Sequence, residues 1–110
     1  MRSLRCLILL FLSGLTFSQS ENSVAPILTV KEIMNTMITP TTATIWGAYE
    51  LENDSEWQEV KNAAIAVIGA GNLLFIGGSA QGEALLAREV EWQEFNRQMI
   101  EAAQEVIAAV

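Results

Sequence analysis

Apolar and polar residues are spaced along most of this chain as they are in amphipathic helices. A first set of five apolar residues recurs at steps of one and three, as on one face of a helix: Val30, Ile33, Met34, Met37 and Ile38. Just before it, "TVKE" pairs Thr29 with Glu32 as a capping box, which predicts the start of a first helix. The pattern then continues to about Leu51 through Ile45, Trp46 and Tyr49.

Pro40 lies inside this first pattern. It has no N–H to donate to the carbonyl of Thr36, and its ring crowds the preceding turn. The sequence therefore predicts either a kink or a restart, with Thr39 as N-cap and Pro40 as the first helical residue.

A second helix is predicted after the polar turn "ENDS" at residues 52–55. Ser55 and Gln58 have capping-box spacing. The apolar face that follows consists of Trp57, Val60, Ala64, Val67, Ile68, Gly71, Leu74 and Phe75. Gly69 and Gly71 each weaken a helix by about 1 kcal/mol relative to alanine, so we expect a neighbouring element to approach closely there.

A third helix is predicted from about Glu83 to the end of the chain, after a flexible loop, "GGSAQG", at residues 77–82. Its stripe consists of Leu85, Trp92, Phe95, Met99, Ala102, Ala103, Val106 and Val110. Three such helices with short connections predict an all-α fold, an antiparallel up-down bundle. The stripe persists to Val110 without a closing signal, which predicts a fourth helix, or a partner, over the open apolar face.

Residues 1–20 have the pattern of a secretory signal peptide. Arg2 and Arg5 precede the apolar run Leu7–Leu12, and Ser18 or Ser20 offers a cleavage position. The alternative, an uncleaved anchor, needs a longer apolar run than this one. We therefore expect a periplasmic helical domain of residues 21–110, without stable membrane insertion after cleavage. Mass spectrometry of the exported protein should find Gln19 or Glu21 at its N-terminus, and an intact Met1 would contradict this.

The charge of the chain restricts the kinds of partner that it is expected to bind. Six basic and 13 acidic residues give a net charge of −7, which becomes −9 without Arg2 and Arg5. Such a domain repels phosphate backbones, so nucleic acid is not expected as a partner. The chain has no histidine, and its one cysteine, Cys6, lies in the predicted signal peptide. The common metal ligands and serine– or cysteine–histidine catalysis are therefore missing, and we do not expect an enzyme.

Three segments, "TVKEIMNTMITPTTATIW", "EWQEVKNAAIAVIGAGNLL" and "EWQEFNRQMIEAAQEVIAAV", resemble the first three helices of c-type cytochromes of the cytochrome c prime class. The resemblance covers about residues 29–110. It implies a periplasmic four-helix bundle that carries haem c and transfers electrons or binds small gases. The family attaches haem through Cys-x-x-Cys-His on its fourth helix, and these 110 residues do not contain that motif.

The resemblance also implies one candidate site residue. Met34 lies where low-spin members of the family carry the methionine that binds the haem iron, and Met37 is a weaker candidate. The alternative for both is ordinary packing in an apolar core. Trp46, Trp57 and Trp92 are predicted to be core anchors.

Charged side chains of the third helix admit two interpretations. Arg88 and Arg97 are predicted to pair on a solvated face with the acidic residues around them, Glu89, Glu91, Glu94 and Glu101. The same acidic helix also offers a docking surface for a basic redox partner. A second hypothesis for the whole chain is a haem-free interaction module that covers its open face with a partner or, as a homodimer, with a second copy.

Overall fold

The computed structural model describes residues 25–110, of which 74% are helical, with no strand among them. This confirms the all-α prediction. The predicted signal peptide lies outside the described residues.

The helices follow one another in three groups. The first group is continuous and comprises α1 (Val30–Ile33), a π-helical turn (Met34–Ile38) and α2 (Thr39–Trp46); together we call them the first helix. The second group is the long helix α3 (Asp54–Ile76). The third comprises the short α4 (Glu83–Leu86) and the long α5 (Val90–Ala109).

The capping box predicted for the first helix is confirmed. The N–H of Glu32 donates to the Thr29 hydroxyl over 3.1 Å, and the N–H of Thr29 donates to the Glu32 carboxylate over 3.0 Å. This backbone donor, helped by the Thr29 side chain, lowers the pKa of Glu32, because a hydrogen bond to a carboxylate favours its charged form. The first turn is thus fixed by residues only three positions apart.

We expect this cap to weaken in acid. Since the pKa of Glu32 is lower in the folded chain than its ordinary 4.5, its contribution is complete above that value and is lost as the pH falls through the folded pKa. An NMR titration should show the Thr29 amide signal moving with the protonation of Glu32. In a Glu32→Gln variant this acid-dependent movement should vanish, whereas an unchanged titration would contradict the assignment.

Pro40 does not restart the helix. Thr39 has helical dihedral angles, φ −58° and ψ −50°, and its N–H donates to the carbonyl of Met34, five residues back. The widened turn precedes Pro40, whose missing N–H removes an α-helical bond in any case. Four threonine hydroxyls supply extra donors to carbonyls around it: Thr36 to Glu32, Thr41 to Met37, Thr42 to Ile38 and Thr44 to Pro40.

The observed helix boundaries differ from the predicted ones in three places. The first helix ends at Trp46, not near Leu51, and Asn53, not Ser55, is the N-cap of α3, since its side chain accepts from the N–H of Glu56 over 2.9 Å. The predicted third helix is interrupted after Leu86 and begins again after Glu89. Helix propensity locates the end of a helix less accurately than a side chain that accepts a backbone hydrogen bond at that end.

The first two residues of the loop predicted to be flexible are packed, and the other four are exposed. Gly77 and Gly78 are buried, and Gly77 has φ +87° and ψ −169°, a backbone region that essentially only glycine adopts. One Glu83 carboxylate oxygen accepts from the N–H of Ala80 over 3.0 Å and from that of Val30 over 3.2 Å. This carboxylate joins the loop to the start of the first helix.

The core lies along α3, which contacts both the first helix and α5. It contains seven buried residues, mostly small or branched: Ile33, Ile38, Ala64, Val67, Ala70, Leu74 and Ala103. Gly71 confirms the predicted close approach, because a Cβ there would lie 2.6 Å from Cγ1 of Ile100. Gly69 does not, since nothing lies within 4 Å of its Cβ position.

Three side chains of α5 donate to carbonyls of α3, and the longest of the three bonds runs from the Gln93 amide to the Phe75 carbonyl over 3.4 Å. The Trp92 indole N–H donates to the Leu74 carbonyl over 2.8 Å, and the Asn96 amide donates to the Gly71 carbonyl over 2.7 Å. Asn96 is buried, and its Oδ1 accepts no hydrogen bond. Its burial was not anticipated from the sequence, because a polar residue beside an apolar stripe normally predicts a solvent-facing position.

Among residues 25–110, α3 has the length and apolar composition of a membrane-spanning helix, with a mean hydropathy of 1.4 over its best window. Core helices of soluble proteins share these properties, and α3 contributes most of the core.

Candidate functional site

An open apolar groove runs between α2 and α5. Its volume is about 620 Å³, and its floor is Val67 of α3. We call it the α2–α5 groove; the residues that line it are Thr42, Ile45, Trp46, Val67, Met99, Ala102, Ala103, Glu105, Val106 and Ala109. Because α3 separates the first helix from α5 along much of their length, these two helices leave an uncovered apolar channel on one side.

The polar atoms of the groove are few. The Thr42 hydroxyl donates to the carbonyl of Ile38 over 2.7 Å and is therefore occupied within its own helix. Glu105 is the one ionisable residue of the lining. The groove holds no nucleophile and no pair of acid and base groups. Its lining suits the binding of apolar ligands or apolar side chains.

The ion pairs of α5 confirm part of the charge prediction. Arg97 pairs with Glu94 at 2.5 Å and also with Glu101, on a face half exposed to solvent. The hydrogen bond from Arg97 lowers the pKa of Glu94, while Glu94 raises the pKa of Arg97. Arg88 makes no ion pair within the described part of the chain. These exposed pairs are solvated contacts that contribute little to stability.

The methionines occupy three different environments. Met34, the candidate iron ligand, lies at the start of the π-helical turn with 38% of its surface exposed, and it is not part of the groove lining. Met37 is half-buried and packs on the core. Met99 packs on the core and lines the groove. The structure therefore does not bring Met34 together with the groove residues.

The three tryptophans also differ. Trp92 is a core anchor as predicted, half-buried with its indole N–H on a backbone carbonyl. Trp46 is 83% exposed at the edge of the groove, and Trp57 is also exposed, so the prediction of core anchors is wrong for both. Both lie near helix ends, where Trp46 lines the groove and Trp57 shares a small pocket with Ala109 and Val110.

The sequence did not show that the apolar stripe of α5 contacts both the core and the α2–α5 groove. Trp92 packs on the core, Ala102 and Ala109 line the groove, and Ala103 and Val106 do both. A signal was present in Ala102 and Ala109, because small side chains on a helix face leave room for another element. The stripe is wide enough for two neighbours, of which α3 is one.

The groove residues fit one part of a haem site. Apolar side chains suit the face of a macrocycle, and a methionine sulfur is a soft donor of the kind that binds haem iron. Residues 25–110 contain neither cysteine nor histidine, so thioether attachment and an imidazole ligand are not available from them. Within the same residues, no group of three or more histidine, cysteine, aspartate or glutamate side chains is placed to hold a metal ion.

Comparisons with known proteins give no independent assignment. No family model, no curated protein and no solved structure matches this chain.

Proposed function

We propose that residues 25–110 are the scaffold of an up-down helix bundle that serves a haem-based electron-transfer protein of the cytochrome c prime type. The observation that carries the proposal is the α2–α5 groove, an apolar channel between two helices that remains open for a further element. The resemblance of residues 29–110 to the first three helices of that class supplies the identity of the element, a helix that carries covalently bound haem.

The order of contacts along the helices supports the up-down arrangement. Trp92 meets Leu74 and Asn96 meets Gly71, while Trp57 shares a small pocket with Val110 at the other end of the helices. Residue numbers rise along α5 as they fall along α3, as they do in a helix hairpin. Short connections on either side of α3 favour the same arrangement for the first helix.

The chain's own residues would perform three tasks in such a protein. The groove lining excludes water from the bound element, and the buried contacts between α3 and α5 keep the channel at a fixed width. The resemblance implies Met34 as the thioether ligand from the first helix, with Met37 as the weaker candidate, and neither residue is part of the groove lining. Haem would supply the one-electron chemistry, and the acidic surface of α5 would favour a basic redox partner.

The described part of the chain should not attach haem covalently. When it is expressed with a haem-attachment system, we expect colourless protein, because residues 25–110 contain no thiol for a thioether bond. A haem-stained band after denaturing electrophoresis would contradict this. The measurement tests the chemistry of these residues separately from the shape of the groove.

A haem peptide tests the groove itself. A short proteolytic peptide that carries haem on Cys-x-x-Cys-His supplies both attachment and the histidine ligand, and its absorption bands report its surroundings. We expect saturable binding to the chain with a shifted main haem band. Ala102→Arg, which places a charge in the groove, should weaken binding about tenfold or more, or about 1.4 kcal/mol.

Gln104→Arg is the matched control, since Gln104 is exposed on the same helix and is not part of the groove lining. It adds the same charge and should bind the peptide as the unmodified chain does. Equal weakening by the two variants would show that binding follows net charge and would contradict the proposal. So would the absence of any binding.

The second candidate is a haem-free interaction module whose groove receives an amphipathic helix from a partner or a second copy. The open groove edge favours it, because Trp46 is a large exposed aromatic of the kind that anchors protein interfaces. Sequencing the gene beyond the codon for Val110 separates the candidates. Cys-x-x-Cys-His within about 15–40 further residues would support the haem protein, and a stop codon directly after Val110 would favour the module.

A further inference from the structure

The π-helical turn at Met34–Ile38 determines which apolar residues of the first helix face the core. Ile33 is 2% exposed and Ile38 is 6% exposed, although they are five residues apart. In a regular α-helix five residues advance the chain by about 140° beyond one full turn, so the two side chains would point in different directions. The widened turn, closed by the bond from the Thr39 N–H to the Met34 carbonyl, brings both to the same side.

The first helix has a second way to fill the core position that Ile33 occupies. Met34 is four residues before Ile38, which is the spacing that places two side chains on one face of an α-helix. A regular helix from residue 30 to residue 46 would therefore bury Met34 beside Ile38 and turn Ile33 outward. Both residues are apolar and of similar size, so either one suits the core position.

Two features favour the first arrangement. In a regular α-helix the ring of Pro40 would clash with the Thr36 carbonyl, which disfavours that register. Beyond the other end of α1, the Ser79 N–H donates to the Leu28 carbonyl over 2.9 Å, and the Glu83 carboxylate accepts from the Val30 N–H over 3.2 Å. These bonds prevent the first turn from rotating about its axis.

We propose that the π-helical turn is a register switch, in which the start of the first helix rotates by one residue and exchanges Ile33 for Met34 in the core. Pro40 and the Glu83 carboxylate bias the switch toward the form in which Met34 is exposed. The inference does not depend on haem. Its consequence is that Met34 is accessible in one register and protected in the other.

Oxidation by hydrogen peroxide measures this accessibility in the full chain, because only exposed methionine reacts readily. Mass spectrometry of peptides gives separate rates for Met34, Met37 and Met99. In the unmodified chain Met34 should react faster than the two half-buried methionines. In the double variant Pro40→Ala with Glu83→Ala, which removes both biases, Met34 should react several-fold more slowly.

The matched control is Thr39→Ala with Glu59→Ala, two changes to alanine at exposed positions of the first helix and α3. It should leave the rate at Met34 unchanged. Pro40→Ala alone keeps the Glu83 contact and adds a helix-favouring residue, so it should fold and should slow Met34 by a smaller factor. If Met34 reacts at the unmodified rate in Pro40→Ala and also in any folded double variant, the switch does not exist.

Discussion

Gly77→Ala should destabilise the domain by about 3 kcal/mol or more. The φ of +87° and ψ of −169° at Gly77 are costly for any residue with a Cβ. In addition, the new Cβ would lie 2.7 Å from the Glu83 carbonyl oxygen and 2.9 Å from Cα of Ala84. Both of these atoms belong to the backbone, so neither can move aside alone.

Gly82→Ala is the matched control in the same loop. Gly82 also has a positive φ, +83°, but nothing lies within 4 Å of its Cβ position. Gly82→Ala should therefore lower the free energy of unfolding only by the cost of the left-handed conformation, about 1–2 kcal/mol. Urea unfolding followed by circular dichroism measures both variants, and equal losses at Gly77 and Gly82 would mean that the backbone contacts around Gly77 contribute nothing.

Gly71→Ala is expected to destabilise the packing of α3 on α5. Its Cβ would lie 2.6 Å from Cγ1 and 2.8 Å from Cδ1 of Ile100. Overpacking of this kind costs about 1–3 kcal/mol, and the better helix propensity of alanine offsets up to about 1 kcal/mol of it. We expect a net loss of about 1–2 kcal/mol in the free energy of unfolding by urea.

Gly69→Ala, two residues away in the same helix, should have the opposite sign. The Cβ position of Gly69 is open, so alanine should stabilise the domain by about 0.5–1 kcal/mol.

Ile100→Ala combined with Gly71→Ala should lose less stability than the sum of the two single variants, because the smaller side chain makes room for the new methyl group. Additive losses would show that the two residues do not compete for the same space.

The sequence predicted the helices well where a strong local signal was present. The capping box of Thr29 and Glu32 needs only residues three positions apart, and the spacing of Val60, Ala64, Val67 and Leu74 identifies the buried face of α3. The start of α3 was misplaced because Asn53 and Ser55 are both good N-caps, and sequence alone does not decide between them. The break after Leu86 follows from packing of Ala87 and the Gln93 side chain, which donates to the Ala87 carbonyl.

The groove was harder to predict than the helices. Regular spacing says that Ala102, Ala103 and Val106 are on the apolar side of α5, but it does not say which of them meets α3. The π-helical turn was not predicted either, because the pairs Ile33–Met34 and Met37–Ile38 satisfy helical spacing in either register. Trp46 was placed in the core from its residue type, although aromatic residues also remain exposed at the edges of binding surfaces.

The Glu83 carboxylate has a consequence for the time course of folding. It binds the Val30 N–H across 53 residues of sequence, so this bond forms only after a long loop has closed, whereas the Thr29–Glu32 cap forms within one turn. Contacts of high sequence separation are acquired late when closure of the chain limits the rate. The Val30 amide should therefore gain protection from hydrogen exchange after the amides in the middle of α3, and Glu83→Ala should speed unfolding more than it slows folding.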